Sequence, residues 1–329
     1  MRHELVRTAL GVSAVKLSAR FRGSKAHVVC YAIENLNPYR SGADSGLEPT
    51  SSGGTPKSRW SVKLIKARLR LHLDGSLSRW IARRVDRIAF GTPGAEDLYR
   101  SALGEELATA ASIMIPALPS PCDCLPADKE PQTALFLGAL QPRKGFDRLM
   151  QAWPAAHAEV PAARLAIIGK GTLVADARAF AGRHDEVQLA IDPPRSEVHG
   201  ALRRASVVIL LSQRGPNWRE QVGLPLVEGL AHGCRVLTTN ETGLASWLSA
   251  HGHRIIGSDA SLPTIKNAIA DELVSERAAA SIMADLPPID GRMAADAWLF
   301  DSFTSGAVRD VGRGSAVIVP PQDDRSMIE

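Results

Sequence analysis

Two glutamates that lie eight positions apart, Glu220 and Glu228, flank a Gly-Leu-Pro corner at the start of a predicted helix. Gly223 permits a backbone conformation closed to other residues, and Pro225 suits the first helical position, where its missing N–H is no loss. The N–H groups and the dipole of such a helix start can bind a diphosphate. Since a phosphate repels carboxylates, the two glutamates are better explained as acceptors for sugar hydroxyls. The corner therefore predicts a nucleotide-sugar site; the structural alternative is a solvated Glu220 and a Glu228 that only favours the helix dipole.

The elements that must position this corner alternate regularly from Thr133 onward. Short apolar runs predict strands at 134–138, 165–169, 187–191, 207–211, 235–239 and 254–256. Between them, the pattern predicts helices at 145–157, 174–183, 196–204, from 225 onward, and at 262–274. Continuous apolar strands between amphipathic helices indicate a parallel sheet covered on both faces, with ligands beyond the carboxyl ends of its strands. The residues predicted at those ends are Gly138, Gly169, Ser212 and Thr239.

The corner also resembles a known signature. Its two glutamates match the Glu-x7-Glu pattern of family-4 retaining glycosyltransferases (glycosyl transferases group 1), whose GT-B fold has two facing Rossmann-like domains. The surrounding motifs fall where the family has its equivalents: Gly223-Leu224-Pro225, Glu228-Gly229-Leu230-Ala231, Gly233 and Thr242-Gly243. The resemblance is strong over 132–275 and implies an α/β, GT-B-like fold.

The resemblance implies a role for each charged residue. Glu220 would contact the donor sugar, and Glu228 the ribose hydroxyls. Lys144, which follows the first strand of this region, matches the lysine that holds the donor diphosphate. Ala139 stands where the family has an arginine, so Arg143 is the candidate substitute, since a guanidinium binds phosphate oxygens in a bidentate way. The structural alternative for Arg143 and Lys144 is a basic surface pair at a helix start.

Further positions are implied by the same resemblance. Gly169 begins a Gly-x-Gly turn near the nucleotide base, and backbone amides near Thr242 would bind the diphosphate. Glu34 or Asn35 stands where the family has a histidine or similar residue of the first domain near the reacting carbon. The loop 212–219 is either a wall over the donor sugar, with Trp218 as a stacking face, or an ordinary surface loop. The donor-binding candidates besides Glu228 are Gly138, Gly169, Gly223, Leu224, Pro225, Thr242 and Gly243.

The first half is shorter than a full Rossmann-like domain. Apolar runs predict strands at 27–33, 87–91 and 111–115 and a helix at 95–103, where a full domain needs about five or six strands. The predicted organisation is an incomplete acceptor-side domain at 1–116, a proline-rich linker at 117–131, a nucleotide-sugar-binding domain at 132–275, and a C-terminal helix with a disordered tail at 276–329. Either Met1 is an internal start, or the chain is a natural fragment with a diminished first half.

Charge is unevenly distributed along the chain. Residues 1–130 contain 19 Lys and Arg against 13 Asp and Glu, a net charge of +6, whereas the remainder has 20 against 22, a net charge of −2. An anionic partner should therefore meet the first half. The basic stretch 59–73 is either an amphipathic helix on an anionic bilayer, which suits a lipid-linked acceptor, or a surface helix with its apolar face in the first domain. No nucleic-acid recognition motif accompanies the charge.

Neither a membrane span nor a signal sequence is evident, which predicts a cytoplasmic protein, at most peripheral at the inner face of the membrane. Cys122-x-Cys124 lacks a second pair or a histidine cluster at zinc spacing, and no Asp-x-Asp motif occurs. We therefore expect neither a metal nor another cofactor besides the nucleotide-sugar co-substrate. No Ser-His-Asp or Cys-His set is arranged for covalent catalysis.

Together these features predict a retaining, metal-independent hexosyl-type glycosyltransferase. It would move a sugar from a nucleotide-diphosphate donor to an unidentified acceptor, lipid-linked or a cell-envelope glycan, and its Ala- and Arg-rich composition suggests a bacterial source. One alternative is a truncated, non-catalytic nucleotide-sugar-binding or scaffold protein. Another is a related GT-B enzyme that epimerises the nucleotide sugar.

Overall fold

The computed structural model describes residues 2–34, 75–123, 129–215 and 218–301. Asn35, the basic stretch 59–73, Cys124 and the predicted tail beyond 301 lie outside the described residues. The strands are Val29–Ala32 (β1), Arg87–Phe90 (β2), Ala111–Met114 (β3), Thr133–Leu137 (β4), Arg164–Ile168 (β5), Val187–Ala190 (β6), Val207–Leu210 (β7), Arg235–Thr239 (β8) and Arg254–Ile256 (β9).

The helices are Arg2–Phe21 (α1), 75–82 (α2), Pro93–Leu103 (α3), Phe146–Glu159 (α4), Val174–Ala181 (α5), Arg195–Arg204 (α6), Leu224–Ala231 (α7), Ala245–Ala250 (α8), Leu262–Val274 (α9), Ala279–Ala284 (α10) and Gly291–Phe300 (α11). A short 3-10 turn, Pro142–Lys144, precedes α4. None of the helices in the described part of the chain combines the length and the apolar character that a membrane crossing requires.

The larger sheet has six parallel strands in the order β6-β5-β4-β7-β8-β9. All residues of β4, β7 and β8 are buried, which explains the apolar runs in β4 and β7. The chain winds outward from β4 in one direction and from β7 in the other. The order therefore reverses between β4 and β7, and such a switch point leaves a crevice at the carboxyl ends of the strands. The predicted strands and helices of this half are confirmed.

The smaller sheet has three parallel strands in the order β1-β2-β3. One face carries a small cluster of Ala32, Ile88, Phe90 and Ala95. On the other face, Ala89 and Ile115 pack against Ala295 and Leu299 of α11. The three strands predicted for the first half are confirmed, whereas α1 was not anticipated, because Leu10, Leu17 and Phe21 remain exposed and its sequence carries no marked apolar stripe.

Among the described residues, the two halves meet where the predicted linker begins. Leu118, at the start of the predicted linker, is buried in the core of the larger half. Its carbonyl accepts a hydrogen bond from the Gly291 N–H at 2.8 Å. A Cβ on Gly291 would lie 2.0 Å from the carbonyl oxygen of Pro116, so only glycine permits this approach. The segment by which the chain leaves the smaller half therefore contacts the segment by which it returns, at the start of α11.

Candidate functional site

Glycines bring the ends of β4 and β5 into close contact at the switch point. A Cβ on Gly169, after β5, would lie 1.8 Å from the carbonyl oxygen of Gly138, after β4. Gly138 itself has φ 144°, and its position faces Pro225, whose Cγ would lie 3.7 Å from an added Cβ. Because neither glycine has a side chain, Gly138, Gly169 and the start of α7 can lie close together.

The corner before α7 has the geometry that its sequence predicts. Gly223 adopts a left-handed conformation with φ 81°, and Pro225 occupies the first turn of the helix. Within the described residues, no hydrogen bond uses the N–H groups of Gly223 or Leu224. Leu224 is also 53% exposed. The corner thus presents backbone donors and the positive end of a helix dipole to the crevice.

Thr242 and Gly243 brace this corner. The Gly243 N–H donates to the Gln221 carbonyl at 2.7 Å, and the Thr242 hydroxyl donates to the Val222 carbonyl at 2.8 Å. The Gly243 amide is thus engaged with the backbone that leads into α7, as is the Thr242 hydroxyl. The two residues hold the corner in position, and their contact with a diphosphate stays a prediction.

A buried ion pair occupies the crevice. The Lys144 Nζ lies 2.5 Å from the Glu220 Oε2, and the two side chains are only 14% and 9% exposed. The Ser212 hydroxyl donates to the same carboxylate oxygen at 2.7 Å. Gly145, with φ 67°, lets the chain turn directly after Lys144, since a Cβ there would lie 1.9 Å from the Leu211 carbonyl oxygen. Two residues 76 positions apart are therefore fixed against each other by the ends of β4 and β7.

The loop between β7 and α7 places an aromatic ring over the basic residues. Gly215 and Trp218 exchange backbone hydrogen bonds, which closes a tight turn. The Trp218 ring centroid lies 4.8 Å from the Arg143 guanidinium carbon and 5.1 Å from the Lys144 Nζ. Both distances fall within the range of cation–π attraction. Trp218 thus forms a wall of the crevice and holds the two predicted phosphate ligands beneath it.

A carboxylate that sequence reasoning did not select fixes this loop. Glu241 is only 4% exposed, and its Oε2 lies 2.8 Å from the Arg219 Nε. Its Oε1 lies 3.5 Å from the Arg214 Nε and accepts from the Ser258 hydroxyl at 3.2 Å. A buried carboxylate needs such partners, and here the partners carry the loop on both sides of Trp218.

Glu228 lies further along α7, with 28% of its side chain exposed. Its Oε1 lies 2.9 Å from a guanidinium nitrogen of Arg195, at the start of α6. The Glu228 carbonyl is bonded to the Nδ1 of His232 at 2.7 Å. Burial is the largest influence on His232 and lowers the pKa of its imidazole. Glu228 therefore keeps a partly open carboxylate on the same helix as the corner.

The first-half candidate makes its contacts within its own half. The Glu34 Oε2 accepts from the Ile33 N–H at 3.1 Å and from the Tyr99 hydroxyl at 3.3 Å. Burial, aided by the nearby Glu34 charge, raises the pKa of the Cys30 thiol to about 11. The other candidate on this side, Asn35, lies outside the described residues. The acceptor-side roles of Glu34 and Asn35 remain predictions.

Comparison with known proteins identifies the larger half. Residues 124–282 match the family model described as glycosyl transferases group 1. This segment is therefore similar to glycosyl transferases group 1. The Glu-x7-Glu segment and Lys144 both fall within the matched residues. No curated protein matches the chain in sequence.

Solved structures are similar to the chain in fold. A UDP-forming α,α-trehalose-phosphate synthase from Burkholderia xenovorans has a TM-score of 0.53 at 15% identity and covers 69% of this chain and 63% of its own. An α,α-trehalose 6-phosphate synthase from Burkholderia multivorans has a TM-score of 0.52 at 15% identity and covers 71% and 61%. TarM has a TM-score of 0.52 at 13% identity and covers 69% and 46%.

These similarities confirm the predicted fold class, an α/β structure of the GT-B type. The chain spans only 46% to 63% of the length of the three structures. Among the described residues, the matched segment contains the six-stranded sheet and the smaller half contains three strands.

Proposed function

We propose that this chain is a retaining glycosyltransferase that transfers a hexose from a nucleotide-diphosphate donor to a hydroxyl of an acceptor. The observation that carries the proposal is the buried Lys144–Glu220 pair, placed beside the open N–H groups of the α7 corner. A desolvated lysine that lies against the same Trp218 ring as Arg143 favours an anionic leaving group. Two carboxylates on the same wall, Glu220 and Glu228, suit sugar hydroxyls.

The pair also suggests how donor binding proceeds. Without a donor, Glu220 neutralises Lys144 and keeps the buried charge compensated. The arriving diphosphate would take over the Lys144 ammonium, and Glu220 would then accept hydrogen bonds from the donor sugar. Binding thus exchanges one partner of Lys144 for another, and a neutral nucleoside lacking phosphates would not drive the exchange.

The proposed reaction needs no side-chain nucleophile. The bond between the anomeric carbon and the leaving phosphate oxygen breaks, and a bond from the acceptor oxygen forms on the same face. The acceptor proton passes to the leaving phosphate, so charge and atoms balance. Lys144, Arg143 and the α7 corner would stabilise the negative charge that develops on the diphosphate. No metal ion is assigned to this step.

The acceptor side is proposed to be the first half, with Glu34 and Asn35 as candidates. The net charge of +6 over residues 1–130 favours an anionic or lipid-linked acceptor at a membrane surface. Vesicles with and without anionic lipid test this part directly. Co-sedimentation with anionic vesicles that is lost when the basic residues of 59–73 are replaced by glutamine would support it. Equal binding to neutral vesicles would contradict it.

The central test is calorimetric titration of the full chain with UDP-, GDP- and ADP-sugars. UDP-sugars come first, because one similar structure is named as a UDP-forming enzyme. Glu228→Gln should weaken donor binding by about 10- to 100-fold, because a hydrogen bond to a charged group is worth about 1.5–3 kcal/mol. The matched control is Glu159→Gln, an exposed ion-paired glutamate on α4, which should bind the donor as the wild type does. Failure of every nucleotide sugar to bind the folded chain would overturn the proposal.

Turnover separates the proposal from its competitors. A scaffold or binding protein would bind the donor but leave it intact over long incubation with candidate acceptors. An epimerising enzyme would change the donor sugar with no acceptor present. The proposed enzyme would release the nucleoside diphosphate and give a product whose anomeric configuration, measured by NMR coupling constants, equals that of the donor. The experiment has to include the scaffold alternative because the described part of the first half has only three strands.

A further inference from the structure

Three potential metal ligands that are distant in sequence meet behind α7. Cys122 belongs to the predicted linker, His199 to α6, and His232 caps the C-terminal end of α7. One ligand atom from each of them lies within 4.8 Å of the other two. The linker is held here by its own backbone, because the Cys122 N–H donates to the Ala231 carbonyl at 2.7 Å. The cluster is separate from the Lys144–Glu220 pair.

The distance between sulfur and nitrogen fits a shared metal ion. The Cys122 Sγ lies 3.6 Å from the His199 Nε2. A tetrahedral zinc ion with bonds of about 2.3 Å to sulfur and about 2.0 Å to nitrogen separates those two atoms by about 3.5 Å. The His199 and His232 rings are 4.6 Å apart between centroids and nearly perpendicular, at 78°.

The hydrogen bonding of His232 leaves its other nitrogen for a ligand. Its Nδ1 lies 2.7 Å from the Glu228 carbonyl, which can only accept, so the proton is on Nδ1 and the Nε2 carries a lone pair. His232 is only 7% exposed, and this buried Nε2 makes no hydrogen bond within the described residues. Histidines that bind a metal usually donate the other ring N–H to a carbonyl or carboxylate, and His232 has this arrangement. A buried lone pair without a donor is otherwise unfavourable.

We propose that Cys122, His199 and His232 form a binding site for Zn²⁺ or a similar borderline-soft divalent cation. One thiolate and two imidazoles are ligands that zinc prefers, with water as the fourth ligand. The sequence expectation was the opposite, because no histidine lies at zinc-ligand spacing from Cys122. The bound ion would fasten the linker to α6 and α7, on the helix that carries Glu228. The inference does not depend on the proposed transferase activity.

The test uses the full chain without a histidine tag, made metal-free with a chelator and titrated with Co²⁺ and then Zn²⁺. Co²⁺ should give the thiolate-to-metal charge-transfer absorption of a sulfur ligand, and Zn²⁺ should displace it. Cys122→Ser should abolish this absorption. His199→Asn should weaken binding by more than about 100-fold, since loss of a group that only orients a ligand already costs about 10- to 100-fold. The matched control is Cys30→Ser in β1, which should leave both the spectrum and the affinity unchanged.

Two results would overturn the site. One is Co²⁺ binding with no charge-transfer absorption, or an unchanged absorption in Cys122→Ser. The other is the absence of binding by a metal-free chain that circular dichroism shows to be folded. Thermal unfolding provides a second readout, because a ligand that binds only the folded state raises the transition temperature. Zn²⁺ should raise it in the wild type and in Cys30→Ser, and leave it unchanged in Cys122→Ser.

Discussion

The two sheets of this chain obtain their covering in different ways. The six-stranded sheet is covered by helices that lie between its own strands in sequence or, like α9, directly follow the last strand, and its core forms one continuous cluster. The three-stranded sheet has only small clusters, and one face is completed by α11 from the far end of the described chain. The larger half is therefore a locally encoded unit, whereas the smaller half depends on a distant segment. The proposed donor site lies in the locally encoded unit.

A glycine-to-alanine substitution made once in each half is the strongest test of this difference between the halves. Gly169→Ala would place a Cβ 1.8 Å from the Gly138 carbonyl oxygen, and we expect a loss of about 5 kcal/mol or more, or no folded protein. Gly11→Ala in α1 meets nothing within 4 Å, and it should stabilise the helix by up to about 1 kcal/mol. Denaturant unfolding followed by circular dichroism measures both. Equal effects of the two substitutions would show that the switch point is not tightly packed.

The second comparison sets a buried ion pair against an exposed one. Lys144→Met removes the countercharge of the buried Glu220 carboxylate and should cost about 3–5 kcal/mol of unfolding free energy. Adding Glu220→Gln to that variant should recover part of the loss. The control is Arg100→Met in the smaller half, whose pair with Glu96 is 57% and 29% exposed and should be worth about 0.5 kcal/mol. Urea titrations of the wild type and the three variants decide, and no recovery in the double variant would contradict the charge argument.

The third comparison tests the dependence of the smaller sheet on the chain's end. Leu299 is 2% exposed and packs against that sheet, whereas the adjacent Phe300 is 69% exposed. Leu299→Ala should cost about 2–4 kcal/mol, because it leaves a cavity in a small core. Phe300→Ala should change the free energy of unfolding by less than about 0.5 kcal/mol. Hydrogen exchange should locate the lost protection in β1 and β2; a loss spread over the larger sheet would contradict the assignment.

The smallest expected effect is a pH dependence confined to the larger half. Burial lowers the pKa of His253 from 6.5 to about 4, and its Nδ1 accepts the Val236 N–H at 3.2 Å. Its folded pKa lies below its unfolded pKa, so its neutral form contributes stability above about pH 6.5 that is lost as pH falls towards 4. The loss should be on the order of 2–3 kcal/mol, since a tenfold difference in proton affinity is worth about 1.4 kcal/mol.

The measurement for His253 is the difference between the wild type and His253→Asn. Urea unfolding at pH 7.0, 6.0 and 5.0 should show that the wild type loses more stability than the variant as the solution becomes acidic. The other histidines titrate in both proteins and cancel in the difference. An equal slope in the two proteins would contradict the assignment of the pH dependence to His253.

Sequence reasoning succeeded where local pattern decides structure. The strands of the larger sheet were predictable because buried parallel strands are continuous apolar runs. The Gly223 corner was predictable because glycine and proline restrict the backbone in known ways. The corner also pointed to Glu220 and Glu228, and the family resemblance to Lys144; the structure brings Lys144 and Glu220 into contact.

Sequence reasoning failed where partners lie far apart in the chain. Nothing near Leu299 in sequence indicates that it completes the core of the smaller sheet. Glu241, which holds the Trp218 loop through Arg214 and Arg219, was not selected, because the burial of a carboxylate is not visible in its sequence neighbours. The grouping of Cys122 with two histidines was missed for the same reason, since zinc-ligand spacing describes only sites built from adjacent segments.

The contact between Gly291 and the backbone at Pro116 and Leu118 also limits how the two halves can move. The chain passes between them twice, and both passages lie side by side at this contact. A structure pinned along one short line can rotate about it but resists sliding and twisting. We therefore expect any opening or closing of the crevice to be a hinge rotation about this contact. In such a rotation, the Lys144 side of the crevice would approach the first half along one fixed path.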